Sequence, residues 1–564
     1  MTTYLPPSDN GSGRDDLILD LEAAAHLIPS AATVAVGGSG SLLQVPESML
    51  GAIGRRFRQH REPSGLTVVH VMGLGDRAGR GVDHLAQDNL TARFIGSHFV
   101  LSPKQQRMIA SNRVEAIGLP AGTISLLYRE IAGGRPGLFT DIGLETFVDP
   151  RLSWGRMNDV TRDGMSSIVI VRGSEWLFYP TFPIDVALIR ATEADTAGNL
   201  GMDEEAALSD NLAIAQAARN SGGMIIAEVK RVSHQGSIPA ARIRVPGVLV
   251  DHVVVTDYPN QTPVTHFDRS RTGVVPAEAI RVDNLALDHR KVIARRALLE
   301  LQTGDLVNLG VGMANGISYV ALEEGVLDQI TLTIEQGVFG GLPGIGLDSG
   351  TVVNPSALID MSSQFDFYDG GGLDIAGLAF AQVDAAGNVN VARVGSMPIG
   401  PGGFIDISQK ADAVVFCGTF TGGGLQTHLE DGRLVIDREG SYRKFVSTVD
   451  EIAFSAARAN REGRRALYVT ERAVFELRDG RLALIEIAPG VDIERDVLAQ
   501  LPFTLHLDEP PRLMDARLFR EPPMGITLRP KGRRRGSTAR RLGSGQHQQL
   551  SGSVGLNHER SVPV

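Results

Sequence analysis

Residues 184–200 read IDVALIRATEADTAGNL, and residues 373–389 read LDIAGLAFAQVDAAGNV. Aligned without gaps, they share Asp185/Asp374, Ala187/Ala376, Asp195/Asp384, Ala197/Ala386, Gly198/Gly387 and Asn199/Asn388. Each is an apolar run ending in D-x-A-G-N, a tight-turn signal: Asp and Asn side chains bond nearby backbone, and Gly accepts a left-handed conformation. A second pair stands in the same order, TVAVGGSG (33–40) against LVNLGVGM (306–313), each a strand running into glycines. Shared turn grammar could produce one such match, whereas two in the same order predict two related α/β domains. The polar stretch 258–274 (YPNQTPVTHFDRSRTGV) is the expected junction, with domains over 15–265 and 275–524.

Around the repeats, β-rich apolar runs alternate with helical ones. Thr33–Val36, Leu66–Val71, Ser167–Val171 and Val248–Thr256 read as strands, and Asp210–Asn220 and Asp288–Leu301 as helices. This alternation predicts Rossmann-like α/β domains with largely parallel sheets, covered by helices on both faces. A length of 564 residues agrees with more than one hydrophobic core. No run approaches 18 consecutive apolar residues, so no membrane-spanning helix is expected. The start, MTTYLPPSDNGSGRDD, lacks the basic-then-apolar order of a secretory signal. From about 525 the composition turns to Arg, Gly, Ser and Gln, so 525–564 is predicted to be a disordered basic tail.

Net charge is −10, and it becomes −17 once the eight basic residues and one acid of 529–564 are set aside. A body so acidic does not bind nucleic acid through bulk electrostatics. The single cysteine, Cys417, excludes an internal disulfide and fits a reducing, cytoplasmic setting. It lies in AVVFCGTF, where a packed thiol is the expected reading. The 13 histidines show no H-x-H or H-E-x-x-H spacing, and no G-x-S-x-G elbow or phosphate-binding G-x-x-x-x-G-K-[ST] loop is present. No metal site is expected.

Glycines carry the remaining signal. VNLGVGMANGISYVALEEG (307–325) reads as a strand, a Gly-rich turn and a helix from about Gly316 to Glu324. The spacing Gly310, Gly312, Gly316 is not the strict dinucleotide fingerprint, but Glu335 ends the next strand at about the right distance, so a nicotinamide-dependent dehydrogenase is one reading. Another takes Glu335 as an ordinary charged strand end. TLTIEQGVFGGLPGIGLDSG (331–350) adds a third, because five glycines (337, 340, 341, 344, 346) follow the carboxylate as though something bulky must reach it.

LTIEQGVFGGLPGIGLDSG, SQFDFYDGGGLDIAGLAFAQVDAAGNVNV (363–391) and GPGGFIDISQKADAVVFCGTFTGGGL (400–425) resemble the family I coenzyme A transferases, acetate/propionate branch. PGLFTDIGLETFVDPR (136–151), LFYPTFPIDVALIRAT (177–192) and TERAVFELRDGRLALIEIAPGVDIERDVLAQLPF (470–503) fit the same branch, so the resemblance spans roughly 20–520. It implies two related α/β domains in one chain, assembled as a homo-oligomer, with acyl-CoA and short-chain carboxylic acids as substrates and no cofactor. It also implies ping-pong transfer, with Glu335 attacking the acyl-CoA carbonyl and then carrying CoA as a glutamyl thioester. Gly402 and Gly403 match the family's second glycine loop and are the oxyanion candidates, and Gly310, Val311, Gly312, Met313 and Ala314 match its CoA-contacting turn. Each of these glycines also reads as a plain tight turn. A carboxylate nucleophile is already ionised near neutrality and needs no general base; the chemistry needs oxyanion donors and limited water.

One departure stands out. Relatives usually carry Pro-Gln-Gly where this chain has Pro120-Ala121-Gly122, so a donor associated with the thioester oxygen is missing or supplied elsewhere. Two further readings remain on this scaffold, an acyl-CoA hydrolase and a non-catalytic acyl-CoA-binding protein.

Overall fold

The computed structural model describes residues 16–257, 260–505, 507 and 509–532. Asp185 accepts a hydrogen bond from the N–H of Thr33 (2.7 Å), and Asp374 accepts one from the N–H of Leu306 (2.8 Å). The backbone N–H of each aspartate returns a bond to the carbonyl of that same partner, at 3.0 Å in both cases. Each aspartate therefore clips the start of one strand to its neighbour, and the clip is built twice. The D-x-A-G-N turns match as closely. Asp195 accepts from the N–H groups of Ala197 and Asn199 (both 3.0 Å), and Asp384 from those of Ala386 (3.1 Å) and Asn388 (2.9 Å). Gly198 and Gly387 take φ of +85° and +87°, which side chains rarely adopt.

The clips belong to two sheets of like order. The N-terminal sheet has eight strands, all parallel: Ile18–Leu19, His252–Val255, Met224–Val229, Val186–Arg190, Thr33–Val36, Leu66–His70, Thr91–Gly96 and Glu115–Gly118. The C-terminal sheet repeats the middle of that order as Arg465–Val469, Ala413–Cys417, Ile375–Ala379, Leu306–Leu309 and Thr331–Ile334, again parallel. Antiparallel strands extend both of its edges, Val338–Phe339 on one side and Ala473–Arg478 on the other. Strand interiors are apolar and buried, as expected where helices cover both faces. Cys417 is buried at the end of its strand, and burial pushes its thiol up to about 12.

Four expectations need adjustment. Ser167–Val171 is a strand, but in a separate antiparallel sheet with Gly137–Thr140 and Ser174–Pro180. The expected strand Val248–Thr256 shortens to His252–Val255, because Pro246–Gly247 begins a turn packed against the carbonyl of Ala197. The two expected helices start one residue later, at Asn211 and His289, with Asp210 and Asp288 before them. The Asp288 carboxylate accepts two N–H groups of the first turn there. The basic tail begins later than 525. Arg529–Pro530 pairs with Gln302–Thr303, Glu324 accepts the N–H groups of Met524, Gly525 and Ile526, Leu528 is buried, and Lys531 is ion-paired with Asp305 and Asp374. The expectation for 533–564 lies outside the described residues. Among the described residues no helix is long and apolar enough to cross a membrane.

The two halves are joined by partly buried polar contacts. Asp141 of the N-terminal half takes Lys410 (2.5 Å) and Arg458 (2.6 Å) of the other. Helix Ala121–Ala132 packs on helix Met361–Asp369 across the same junction.

Candidate active site

Strand Thr331–Ile334 ends in a turn closed by the Gly337 N–H on the Ile334 carbonyl (3.0 Å), and the chain returns at once as Val338–Phe339. Glu335 and Gln336 are the two residues on that turn, at the carboxyl end of a parallel strand, the end where α/β sheets bind ligands. Glu335 keeps partial exposure. The protein packed around it nevertheless raises its carboxyl to about 7: burial disfavours the charge, and hydrogen bonds from the Gln336 side chain and the Gly403 N–H only partly restore it.

Gly403 touches this carboxylate directly. A Cβ at Gly403 would overlap Glu335 Oε2, so any side chain there would displace the carboxylate. Its loop is held by the N-terminal half. The Phe99 N–H donates to the Ile399 carbonyl (2.9 Å), the Gly402 N–H to the Ser97 carbonyl (2.8 Å) and the Ala121 N–H to the Gly402 carbonyl (2.9 Å). Gln106 adds its side-chain amide on the Pro398 carbonyl (2.7 Å). Of the two oxyanion candidates, Gly402 thus has its N–H committed to Ser97, and Gly403 lies against the glutamate carboxylate.

Gly310–Ala314 leaves the neighbouring strand at the same sheet end. The Gly310 N–H donates to the Gly377 carbonyl (2.8 Å), Val311 is 65% exposed, Gly312 has open space beyond it, and Ala314 is buried. The following helix, Gly316–Glu323, is tied to the loop after Glu335 by Asn315 on the Gly344 carbonyl (3.0 Å) and by the Tyr319 hydroxyl on the Pro343 carbonyl (3.1 Å). The five glycines of that loop have a different origin from the one their sequence suggested. Cβ atoms at 337, 340, 341 and 344 would collide with Ile359, Ser356, Val353 and Asp348, so four of the five let the loop pack on itself; only Gly346 faces open space.

Several residues here were not singled out in the sequence. Gln336 is legible only as the neighbour of Glu335. Asp406, fully buried in the helix after Gly403, lies against Gly122; burial, Asp369 and Glu335 together push its carboxyl well up. The Tyr368 hydroxyl donates to Thr333 (2.9 Å) and accepts from Asn308 (3.1 Å), bracing the strand that carries Glu335. No motif spacing could have grouped these residues, which come from separate segments. Among the described residues no cluster of three or more His, Cys, Asp or Glu side chains is placed to hold a metal ion.

Comparison with known proteins identifies this arrangement. The coenzyme A transferase family matches residues 19–256. The acetate CoA-transferase YdiF of Escherichia coli K12 is 40% identical over 531 residues, covering 94% of this chain and 99% of that one. The chain belongs to the coenzyme A transferase family. A caffeate CoA-transferase of Acetobacterium woodii is likewise 40% identical, over 89% of this CoA-transferase and 97% of its own length. The crystal structure of the YdiF apoenzyme from Escherichia coli O157:H7 superposes with a TM-score of 0.88 at 39% identity, covering 93% of this chain and all of that one. A second structure of that protein, described as a thioester complex with CoA, gives 0.87 at 38%. The relatives' names place this CoA-transferase among the enzymes, and the dehydrogenase reading falls away.

Proposed function

We propose that this CoA-transferase moves CoA from a short-chain acyl-CoA to a free carboxylate through a covalent intermediate on Glu335. The observation that carries the reading is a carboxylate at a sheet end with the side-chain-free backbone of Gly403 against it. The description of a related structure as a thioester complex with CoA supports the same chemistry. Glu335 Oε attacks the acyl carbon, the C–S bond breaks, and CoA leaves as thiolate, giving an acyl-glutamyl anhydride. The thiolate attacks Glu335 Cδ, the anhydride C–O bond breaks, and the free acid departs, leaving the glutamyl-CoA thioester. An incoming carboxylate reverses both steps. No proton is transferred at any of them, so the protein's task is to stabilise oxyanions and to limit water. The Gly403 N–H is the backbone donor for the first, and the Gly310–Ala314 turn, exposed at Val311 and Gly312, is the contact for CoA.

The relatives are named for acetate and for caffeate at equal identity, so membership of the family leaves the acid open. Hydrophobic pockets separate neighbouring chain lengths by only about 1–3 kcal/mol per methylene. Acetyl-CoA offered with a panel of aliphatic acids and an aromatic propenoic acid identifies the acceptor. Without acceptor, the enzyme is expected to accumulate a thioester that borohydride reduces, mapped by mass spectrometry to LTIEQGVFGG. Glu335→Ala is expected to fold and to lose transfer by orders of magnitude; an adduct on any other residue overturns the mechanism. Free thiol released at the full rate without acceptor would make the protein a hydrolase instead.

A further inference from the structure

We infer that Tyr368 is a positioning residue of the transfer reaction: its hydroxyl, bonded to both Thr333 and Asn308, sets the spacing between Glu335 and the Gly310–Ala314 turn. The inference rests on the proposed roles of Glu335 and of that turn. Asn308 and Thr333 are register partners across the parallel strands Leu306–Leu309 and Thr331–Ile334. Each stands two residues before a functional element, Asn308 before Gly310 and Thr333 before Glu335. Strands buried on both faces normally read as apolar, yet these two side chains are polar, with Asn308 2% and Thr333 1% exposed. Polar groups so deep cost stability unless they are hydrogen-bonded, and their partners lie almost wholly within this pair of strands and Tyr368.

The hydrogen bonds run in one direction. Thr333 Oγ1 donates its single proton to the Val307 carbonyl (3.1 Å) and therefore accepts from the Tyr368 hydroxyl (2.9 Å). Tyr368 in turn accepts from the Asn308 amide (3.1 Å), which also donates to the Thr333 carbonyl (3.1 Å). Turning that amide over would set Asn308 Oδ1 against a carbonyl oxygen, so its orientation is fixed. Three side chains thus pin one strand to the other just before the nucleophile and the CoA-contacting turn leave the sheet. Tyr368 is itself buried, with Phe365 edge-on to its ring at a centroid distance of 6.0 Å. Its helix, Met361–Asp369, packs on helix Ala121–Ala132 of the N-terminal half, and the Ala121 N–H holds the Gly402 carbonyl next to Gly403. The strand bearing Glu335 and the glycine loop against it are therefore both referred to that one helix. A misplacement of about an ångström between nucleophile and thioester costs on the order of 10²-fold in rate.

The test separates this inference from the reading it rests on. Tyr368→Phe removes the hydroxyl and keeps the ring. With acyl-CoA the variant is expected to form the thioester on Glu335, located by mass mapping, but on the order of 10²-fold more slowly in a single turnover. An acyl-N-acetylcysteamine thioester lacks the nucleotide and most of the pantetheine arm, so binding at the turn no longer aligns it. The parent is expected to slow sharply with this substrate and the variant only a little, so the gap between them shrinks, which a general loosening of the fold would not cause. Thr333→Val leaves the Tyr368 hydroxyl unpaired, and it carries the same comparison if Tyr368→Phe does not fold. The double variant removes that unpaired group, so it is expected to melt above Thr333→Val while its rate stays as low. A Tyr368→Phe rate close to that of the parent, an equal loss with both thioesters, or a rate that recovers with stability overturns the role of Tyr368 and leaves Glu335 standing. Absence of any Glu335 thioester in the parent enzyme overturns the underlying mechanism instead.

Discussion

Glu335 titrates near 7 because burial disfavours its charge more than the Gln336 amide and the Gly403 N–H favour it. As a nucleophile it must be ionised, so thioester formation is expected to rise with pH through about 7 and then level off. The same shift acts on stability with the opposite sign. A carboxyl raised above its unfolded value binds its proton more tightly in the native state, so stability falls as pH climbs from the unfolded pKa to the folded one. Glu335→Gln removes that titration and is expected to be more stable than the parent above neutrality, by on the order of 2 kcal/mol, with the gap closing in mild acid. A thermal scan at both pH values checks it; an equal gap at the two would contradict the assignment. Gly403→Ala drives a methyl into Glu335 Oε2 and displaces the carboxylate by about an ångström, which costs on the order of 10²-fold in rate. An active Gly403→Ala enzyme would place the reacting carboxylate elsewhere.

Turns and loops carry the next level. Asp195 and Asp384 each accept the N–H groups two and four residues on and one Asn side chain, at 2.9–3.1 Å, Asp195 takes a further, longer bond from the Gly236 N–H (3.4 Å), and both are buried. Their truncation to Ala is expected to cost about 2–3 kcal/mol each, since bonds of about 1 kcal/mol are lost and buried donors are left unpaired. Chemical denaturation measures both, and similar losses are expected because the two turns are built alike. A neutral change at either one would show that the turn is held by its flanking strands. The loop 398–403 belongs to the C-terminal half, yet hydrogen bonds tie it to Ser97, Phe99, Gln106 and Ala121 of the other. Substitutions at these N-terminal positions are therefore expected to be felt at Glu335, although all of them lie far from it in sequence.

At the level of the whole molecule, the chain closes on itself near residue 532. Arg529–Pro530 forms a short strand beside Gln302–Thr303, and Lys531 reaches Asp305 and Asp374, the second of which is the clip that starts the C-terminal repeat. Truncation after Gly532 is expected to leave Tm and transfer rate unchanged. Truncation after Met524 removes Ile526 and Leu528 from the core together with the Lys531 ion pairs, and is expected to lower Tm by several degrees, at about 2–4 °C per kcal/mol for domains of this size. Equal melting of the two truncations would show that the closing segment contributes nothing.

The sequence alone determined the duplicated α/β plan, because the D-x-A-G-N turns are local, each Asp bonding backbone N–H groups two and four residues on, and because the same pattern stands twice in the chain. It also singled out Glu335, which stands at the end of a β-branched run. The reason for the glycines after it was not legible, since four of them are required by collisions with segments some four to twenty-two residues further on. The tail boundary was misplaced because composition registers the arginines of 529–535 and not the acids, Asp305 and Asp374, that lie more than 150 residues earlier and wait for Lys531. Only the tertiary structure decided that Gly403 meets the carboxylate, that Gly402 is committed to Ser97, and that Gln336 packs over Gly350. The Gly402 contact crosses between the two halves and the other two join separate loops of the C-terminal half, and contacts of either kind leave no periodicity in the sequence from which they could be read.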